Sequence, residues 1–79
     1  MRIQVRFFGP AAEKAGTQNL TVEAIGTVQS VVDATLQQIP ALRDLSGNMK
    51  YARNTEYTSL NDPLREGDVV SFLPPVGGG

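Results

Sequence analysis

The chain has 79 residues, 41% of them apolar and 19% charged, and seven basic against eight acidic residues give a net charge of -1. This length and balance fit one small globular domain, and the lack of a basic excess argues against nucleic acid as a partner. The sequence contains no cysteine and no histidine. Disulfides, thiolate catalysis, iron–sulfur clusters and the usual general base are thereby excluded. We therefore expect no autonomous catalytic centre, no bound metal and no bound cofactor.

The N-terminal segment from Met1 to Val5 does not have the pattern of a signal peptide. No apolar run in the sequence is long enough to span a bilayer. We expect a cytoplasmic protein with no membrane partner.

The start of the chain alternates between apolar and polar residues, which predicts a half-buried strand over residues 2–8. The apolar set of this strand is Ile3, Val5 and Phe7. Gly9-Pro10 ends the strand because proline has no amide hydrogen for a ladder, and residues 10–15 predict one helical turn. A second alternating segment, residues 20–23, predicts a strand that pairs with the first as a hairpin.

The clearest helix follows Gly26, with Thr27 as its predicted N-cap, and it ends at Pro40. The residues that fall at helical spacing on one side of it are Val28, Val31, Val32, Thr35, Leu36 and Ile39. We expect Val28, Val32, Leu36 and Ile39 to be buried. A helix with one apolar stripe must lie across a sheet.

The second half of the chain has weaker patterns. Residues 49–53 predict a short, polar and peripheral strand, and residues 56–60 predict another. Residues 61–68 are rich in turn-forming types. Residues 69–73 predict the last strand, which ends at two prolines.

The order of these elements favours an α+β fold in which one main helix packs across one face of a mixed sheet. The helix is a crossover that allows the first and last strands to pair in parallel at the sheet centre. This arrangement is the β-grasp, or ubiquitin-like, architecture. We expect a β-grasp domain over residues 1–73 and a flexible glycine-rich tail over residues 74–79.

The acidic side chains show no pair set for acid–base chemistry. Asp62, Glu66 and Asp68 cluster, but a solvated turn in which a carboxylate binds its own backbone is favoured over a metal site. Tyr51 and Tyr57 are interpreted as edge-strand packing. Three arginines, Arg2, Arg6 and Arg53, are expected to share a solvated sheet face.

The C-terminal sequence Pro74-Pro75-Val76-Gly77-Gly78-Gly79 is the one segment with clear chemical potential. Its prolines hold an extended exit from the last strand because their φ is fixed. Six extended residues reach about 20 Å, and glycines let the backbone pass through a narrow channel. The carboxylate of Gly79 is then the candidate reactive group. A frayed terminus or an expression remnant is the alternative.

Strand alternation also predicts a docking surface for a partner. If Val70 and Phe72 face the helix, then Val69 and Leu73 face outward, and the same count places Phe8 outward. Phe8, Val69 and Leu73 are therefore the candidate docking residues. The alternative is that loops cover them.

The sequence resembles the small subunit of molybdopterin synthase and the related thiamine-pathway sulfur carrier over essentially its whole length. The resemblance is carried by Ile3-Gln4-Val5-Arg6-Phe7-Phe8, by Thr27-Val28, by the Asn54–Asp62 stretch, and most specifically by Leu64-Arg65-Glu66-Gly67-Asp68-Val69-Val70 followed by FLPPVGGG. The Pro-Pro-Val-x-Gly-Gly ending favours the molybdopterin branch. Two departures are Gly77, at a position that the family leaves variable, and the polar Met49–Arg53 segment.

The resemblance implies a sulfur carrier. An E1-like adenylyltransferase would use ATP to adenylate the carboxylate of Gly79, and a sulfur donor would then convert it to a thiocarboxylate. The large subunit of molybdopterin synthase would bind the tail residues Pro74, Pro75, Val76, Gly77 and Gly78. It would use the sulfur for the dithiolene of molybdopterin, in a complex expected to be a heterotetramer.

Three alternatives remain open from the sequence. A ubiquitin-like modifier would use the same tail to form an isopeptide with lysine. A sulfur carrier for another pathway, such as that of thiamine, would use the same thiocarboxylate. A passive β-grasp binding module would not need its tail glycines.

Overall fold

The computed structural model describes residues 1–74 and places five strands in one mixed sheet. The strands are β1 (Arg2–Phe7), β2 (Asn19–Glu23), β3 (Lys50–Arg53), β4 (Glu56–Tyr57) and β5 (Val69–Leu73). The helices are α1 (Pro10–Ala15), α2 (Val28–Gln38) and α3 (Arg43–Ser46), with a 3₁₀ turn over Pro40–Leu42 before α3. Within residues 1–74, no helix has the length and apolar character needed to cross a membrane. The predicted α+β class is confirmed.

The sheet has the order β2-β1-β5-β3-β4, so the first and last strands lie side by side in its interior. β1 pairs antiparallel with β2 and parallel with β5, which places Val5 opposite Leu20 on one side and opposite Val70 on the other. The predicted hairpin and the predicted parallel pairing are both confirmed. The parallel pair is possible because α2 carries the chain back across the sheet.

The position of β3 corrects the prediction of a peripheral strand. β3 pairs antiparallel with both β5 and β4, and the edge is formed by β4, which spans two residues rather than the predicted five. On one side of the sheet, the side chain of Lys50 in β3 is exposed to water. On the opposite side Tyr51 packs edge-on against Phe72, with 5.0 Å between ring centroids.

The core lies between α2 and one face of the sheet. Its fully buried side chains include Ile3, Val5, Val22, Val28, Val31, Leu42, Val70 and Phe72. Phe7 and Phe72, neighbours on β1 and β5, stack edge-on with centroids 5.4 Å apart. We call the other side of the sheet, which α2 does not cover, the open face. Register places Arg2 and Arg6 on the open face but Arg53 on the opposite one, so the predicted arginine face is wrong.

The buried stripe of α2 differs from the predicted one. Val28, Val31, Val32 and Thr35 are buried, whereas Leu36 and Ile39 are only partly buried. At about 100° per residue, Leu36 lies roughly a quarter turn away from the mean direction of the buried residues. Ile39 has the right direction but follows the last helical residue, Gln38. Thr35 is tolerated in the core because its hydroxyl donates to the carbonyl of Val31 at 2.8 Å.

The start of α2 is held by a distant loop. Thr27 occupies the predicted N-cap position with an extended backbone, but its side chain makes no capping bond. The first helical amides instead donate to loop carbonyls, from Val28 to Asp62 and from Gln29 to Leu60, both at 2.9 Å. This tertiary arrangement satisfies donors that a helix leaves unpaired at its beginning.

The turn before β5 is organised by the carboxylate of Asp68, whose residue is 7% exposed. This carboxylate accepts hydrogen bonds from the amide of Arg65 at 2.9 Å, from Asn54 Nδ2 at 3.2 Å and from Arg53 at 3.4 Å. Asn54, in the left-handed region with φ of 59°, also accepts from the amide of Val69. The turn after β3 is thereby fastened to the start of β5.

Ionisation of Asp68 is coupled to this geometry. Burial raises the pKa of Asp68, but the bonds from Arg65, Asn54 and Arg53 outweigh it and hold the pKa below its ordinary value. The pKa of Asp62 is lowered in the same direction by the Thr58 hydroxyl and the Ser59 amide. The predicted binding of local backbone by these carboxylates is confirmed, since Asp62 accepts from the amide of Ser59 and Asp68 from that of Arg65. The prediction of a solvated turn is wrong for Asp68, which is buried.

The first prediction tests the corrected core. Leu42, 1% exposed, and Leu36 differ in burial but carry the same side chain. Leu42→Ala should lower the free energy of unfolding by about 2–5 kcal/mol, and Leu36→Ala should lower it by clearly less. Urea denaturation of both variants measures the difference. An equal or larger loss for Leu36→Ala would show that the helix face is assigned wrongly.

The second prediction concerns acid stability. Because the folded-state pKa of Asp68 is depressed, its stabilising effect is complete above the unfolded-state pKa and is lost as pH falls through the folded-state value. Asp68→Asn should cost about 1.5–3 kcal/mol at pH 7, since it removes charge-assisted hydrogen bonds. The variant and the wild type should converge in strong acid, as measured by thermal unfolding at several pH values.

The control for this experiment is Asp44→Asn. Asp44 pairs with Lys14 at 3.6 Å, but its side chain is 78% exposed, so its removal should change stability little at any pH. A constant gap between Asp68→Asn and wild type from pH 7 to strong acid would contradict the assignment of the acid response to Asp68.

Candidate functional site

The end of β5 is the structural base of the C-terminal segment. β5 is hydrogen-bonded to β1 on one side and to β3 on the other, and it ends at Leu73. The amide of Phe8 donates to the carbonyl of Phe72 at 3.2 Å, which extends the pairing with β5 one residue beyond the end of β1. Pro74 follows at once and lies close to Gly9. The chain therefore leaves the domain from the middle of the sheet.

Two of the three predicted docking residues lie together at this exit. Phe7 is the register partner of Phe72, so Phe8 and Leu73 are neighbours on the open face. Phe8 is 40% exposed, and the guanidinium carbon of Arg6 stands 5.5 Å from the centroid of its ring. A cation at this distance from an aromatic face is attracted to it. We call Phe8 and Leu73 the exit patch.

Val69, the third predicted docking residue, lies elsewhere. It is at the start of β5, opposite Gln4, and it lies four positions before Leu73, a distance of roughly 13 Å along a strand. Both Val69 and Leu73 are partly buried rather than exposed. Ser71, also on the open face, is 8% exposed because it is a small residue in the row between Arg6 and Ala52.

Sequence reasoning did not find the residues that β3 adds beside the exit patch. Lys50 is the register partner of Leu73, and its side chain is exposed. An open hollow of about 310 Å³ lies beside this part of β3 and is lined by Lys50, Tyr51, Tyr57 and Thr58. Tyr57 is 66% exposed. The register between β3 and β5 would have been needed to predict this neighbourhood, because Lys50 and Leu73 are far apart in sequence.

The remaining predicted site residues lie outside the described part of the chain. These are Pro75, Val76, Gly77, Gly78 and Gly79. Of the predicted tail, Pro74 alone is described, and it is partly buried.

The described side chains offer little covalent chemistry. The carboxylates of Asp62 and Asp68 are engaged by local donors, and Glu66 accepts a hydrogen bond from the amide of Arg2 at 3.1 Å. Among residues 1–74, no group of three acidic, cysteine or histidine side chains has an arrangement that could hold a metal ion. The arrangement instead provides a rigid support for a chain that leaves it and an apolar patch beside that exit.

Comparison with known sequences identifies a family over almost the whole chain. The ThiS family profile matches residues 5–79. The molybdopterin synthase sulfur carrier subunit of Escherichia coli strain K12 is 36% identical over 80 residues, covering 98% of this chain and 99% of that relative. The subunit of the same name from Chlamydomonas reinhardtii is 34% identical over 84 residues, covering the whole of both.

Comparison with solved structures gives two informative neighbours. SAMP1 from Haloferax volcanii, a small archaeal modifier protein, has a TM-score of 0.89 and 29% identity, with full coverage of both chains. A chain in the complex of subunits 1 and 2 of the molybdopterin-converting factor from Helicobacter pylori 26695 has a TM-score of 0.74 and 38% identity, again with full coverage of both.

These similarities agree with the topology of the sheet and with the sequence pattern. The β-grasp fold and the resemblance to the small subunit of molybdopterin synthase are confirmed. The chain belongs to the ThiS family.

Proposed function

We propose that this protein is the sulfur-carrier subunit of a molybdopterin synthase and acts in the cytoplasm. The observation that carries the proposal is the exit from β5. A strand paired on both sides leads directly, through Pro74, into a terminal sequence of proline, valine and three glycines. Relatives with full-length coverage bear the name of molybdopterin synthase sulfur carrier subunits, which supports the same function.

The proposed chemistry takes place on the carboxylate of Gly79. An E1-like adenylyltransferase joins this carboxylate to the AMP portion of ATP and releases pyrophosphate. A donor supplies sulfur at the level of sulfide, which attacks the acyl carbon, so that AMP leaves and a thiocarboxylate remains. In the large synthase subunit this sulfur bonds to the precursor of molybdopterin, and water then cleaves the acyl–sulfur bond, which leaves the sulfur for the dithiolene and restores the carboxylate of Gly79. This chain supplies the acyl group and holds it at the end of the tail, whereas ATP and the sulfur donor are bound by the partner enzymes.

The physical properties of the tail suit this role. Proline fixes φ at the root of the segment, so less backbone entropy is lost when the tail enters a partner. Glycine has no side chain, so Gly77, Gly78 and Gly79 can pass through a channel that is closed to larger residues. In the Helicobacter pylori complex, the similar chain is bound to a second subunit. We extend that arrangement to this chain and propose a heterotetramer of two carriers and two large subunits.

A second candidate function is protein modification. It is favoured by the similarity to SAMP1, with its TM-score of 0.89 over the full chain. A modifier would pass the same activated Gly79 to a lysine amine and form an isopeptide. Covalent adducts of this chain on other proteins in a cell lysate would support modification, whereas a thiocarboxylate consumed by a molybdopterin synthase would support sulfur transfer. Consumption by a thiazole-forming system would instead support the thiamine branch.

The third prediction concerns the tail. Incubation with the activating enzyme, ATP and a sulfur donor should raise the intact mass by the difference between sulfur and oxygen. Removal of Gly78 and Gly79 should abolish the product and leave the circular dichroism spectrum unchanged, because residues 1–74 contain the core. Gly78→Val should reduce sulfur uptake nearly as much, since a β-branched side chain restricts the backbone and makes the tail wider.

An added residue after Gly79 is the matched control, because it keeps every glycine but displaces the carboxylate. It should also block sulfur uptake. Sulfur uptake by the truncated chain, or none by the full chain with a verified active partner, would sink the sulfur-carrier proposal. A passive module predicts that partner binding is unaffected by any of these changes.

The fourth prediction concerns docking at the exit patch. Phe8→Asp and Leu73→Asp should weaken binding to the large synthase subunit at least tenfold, because a charge would replace an apolar anchor beside the buried tail. Ile25→Asp is the control. Ile25 is 77% exposed and follows β2 at the Arg2–Glu23 end of the sheet, away from Phe8.

Titration calorimetry measures all three affinities, and circular dichroism checks that each variant is folded. The partly buried Leu73 carries the larger risk to folding, so the comparison of Phe8→Asp with Ile25→Asp decides the result. Equal affinities of these two variants for the large subunit would remove the exit patch from the interface.

A further inference from the structure

Gly9 and Pro74 meet at the point where the chain leaves the sheet. Gly9 has φ of 57° and ψ of -133°, a conformation that side-chain-bearing residues rarely adopt. A Cβ atom on Gly9 would lie 3.6 Å from Pro74 Cγ, 3.8 Å from its Cβ and 3.9 Å from its Cδ. The ring of Pro74 therefore stands at ordinary van der Waals distance from the position that a methyl group on Gly9 would take, and a larger side chain would compete with the ring for space.

The position of Gly9 is fixed on both sides. Before it, the amide of Phe8 is bonded to the carbonyl of Phe72 at 3.2 Å. After it, the carbonyl of Gly9 accepts from the amides of Ala12 at 3.0 Å and Glu13 at 3.3 Å, which begin α1. Gly9 thus turns the chain out of β1 and into α1 while it stands beside Pro74. These hydrogen bonds hold the backbone of Gly9 in place.

We propose that Gly9 is a positioning residue for sulfur transfer: because it has no side chain, Pro74 can take the position from which the terminal segment leaves the domain. This inference rests on the proposed function for its consequence. The φ of Pro74 is already restricted by its ring, so a larger side chain on Gly9 that displaced this ring would change the first step of the exit. Gly9 acts through Pro74 and does not contact the reacting carboxylate.

The length of the segment makes this direction important. Five extended residues beyond Pro74 span about 17 Å, so a 20° change at the root displaces an extended terminus by roughly 6 Å. Reacting atoms must be placed within about 1 Å of their productive positions. Changing the contact should therefore reduce the rate of the chemical steps on Gly79 and leave docking of the open face unaltered.

Gly16 is a control for backbone strain. It lies at the other end of α1 with φ of 72°, and no atom lies within 4 Å of the position that its Cβ would take. A Cβ atom at Gly16 would strain the backbone without meeting a distant part of the chain. Gly9→Val should lower kcat for sulfur uptake at least tenfold with KM for this chain changed less than twofold. Gly16→Val should lower the melting temperature but keep both constants within twofold of the wild type.

A double-variant cycle tests whether the effect passes through Pro74. Pro74→Ala removes the ring and should also reduce kcat. If the contact is the route, Gly9→Val combined with Pro74→Ala should be no slower than the slower single variant. Multiplication of the two effects would overturn the proposal, and so would a kcat for Gly9→Val equal to that of Gly16→Val at temperatures where both are folded.

A measurement independent of sulfur chemistry separates this inference from the proposed function. The sequence has no cysteine, so Gly79→Cys gives one site for a nitroxide label, whose broadening of backbone amide signals reports where the terminus resides. The pattern should change in Gly9→Val and persist in Gly16→Val. The same pattern in all three proteins overturns the positioning role. A changed pattern in a protein whose wild type takes up no sulfur would uphold the positioning role and refute the proposed function alone.

Discussion

The parallel pairing of β1 with β5 is the constraint on which the rest of the structure depends. It joins the two ends of the chain, from Gln4 opposite Val69 to Phe7 opposite Phe72. A parallel pair requires a crossover, and α2 provides it while covering the apolar face that the pairing creates. The edge-on stacking of Phe7 and Phe72 adds aromatic packing to the same two strands. Because this pair lies inside the sheet, the core and the C-terminal exit are stabilised together.

This pairing also separates stability from chemistry. A strand at the sheet edge has unpaired backbone groups and opens easily, whereas β5 is paired on both sides. The domain can therefore hold the root of its terminal segment firmly without contributing a reactive side chain. The carboxylates near β5 serve the same end, since Asp68 fastens the Asn54 turn to the strand through three donors. Charge in this molecule stabilises the support, and the proposed reaction takes place beyond it.

Local patterns predicted the five strands and the helices α1 and α2, but not α3, the 3₁₀ turn before it, or every contact between the elements. The alternation of Ile3, Val5 and Phe7 was sufficient for β1, and the proline and glycine positions bounded α1. The cap of α2 could not be predicted from Thr27, because its partners are carbonyls of Leu60 and Asp62. The interior place of β3 depended on long-range pairing rather than on hydrophobicity. For the site, counting along strands placed Phe8 beside Leu73, but it took the sheet register to bring Lys50 next to them.

Gly9 shows why this last kind of information is missing from local patterns. In the sequence, Gly9-Pro10 ends a strand, and that interpretation is correct. The structure adds that the parallel register carries Gly9 to the side of Pro74, 65 positions later in the chain. Gly9, which suits a local turn, thereby also leaves room for Pro74 in a distant segment. Under the proposed function, the partner that receives Gly79 would decide whether it meets a sulfur donor or an amine, because the sequence provides no cysteine or histidine to select the acceptor.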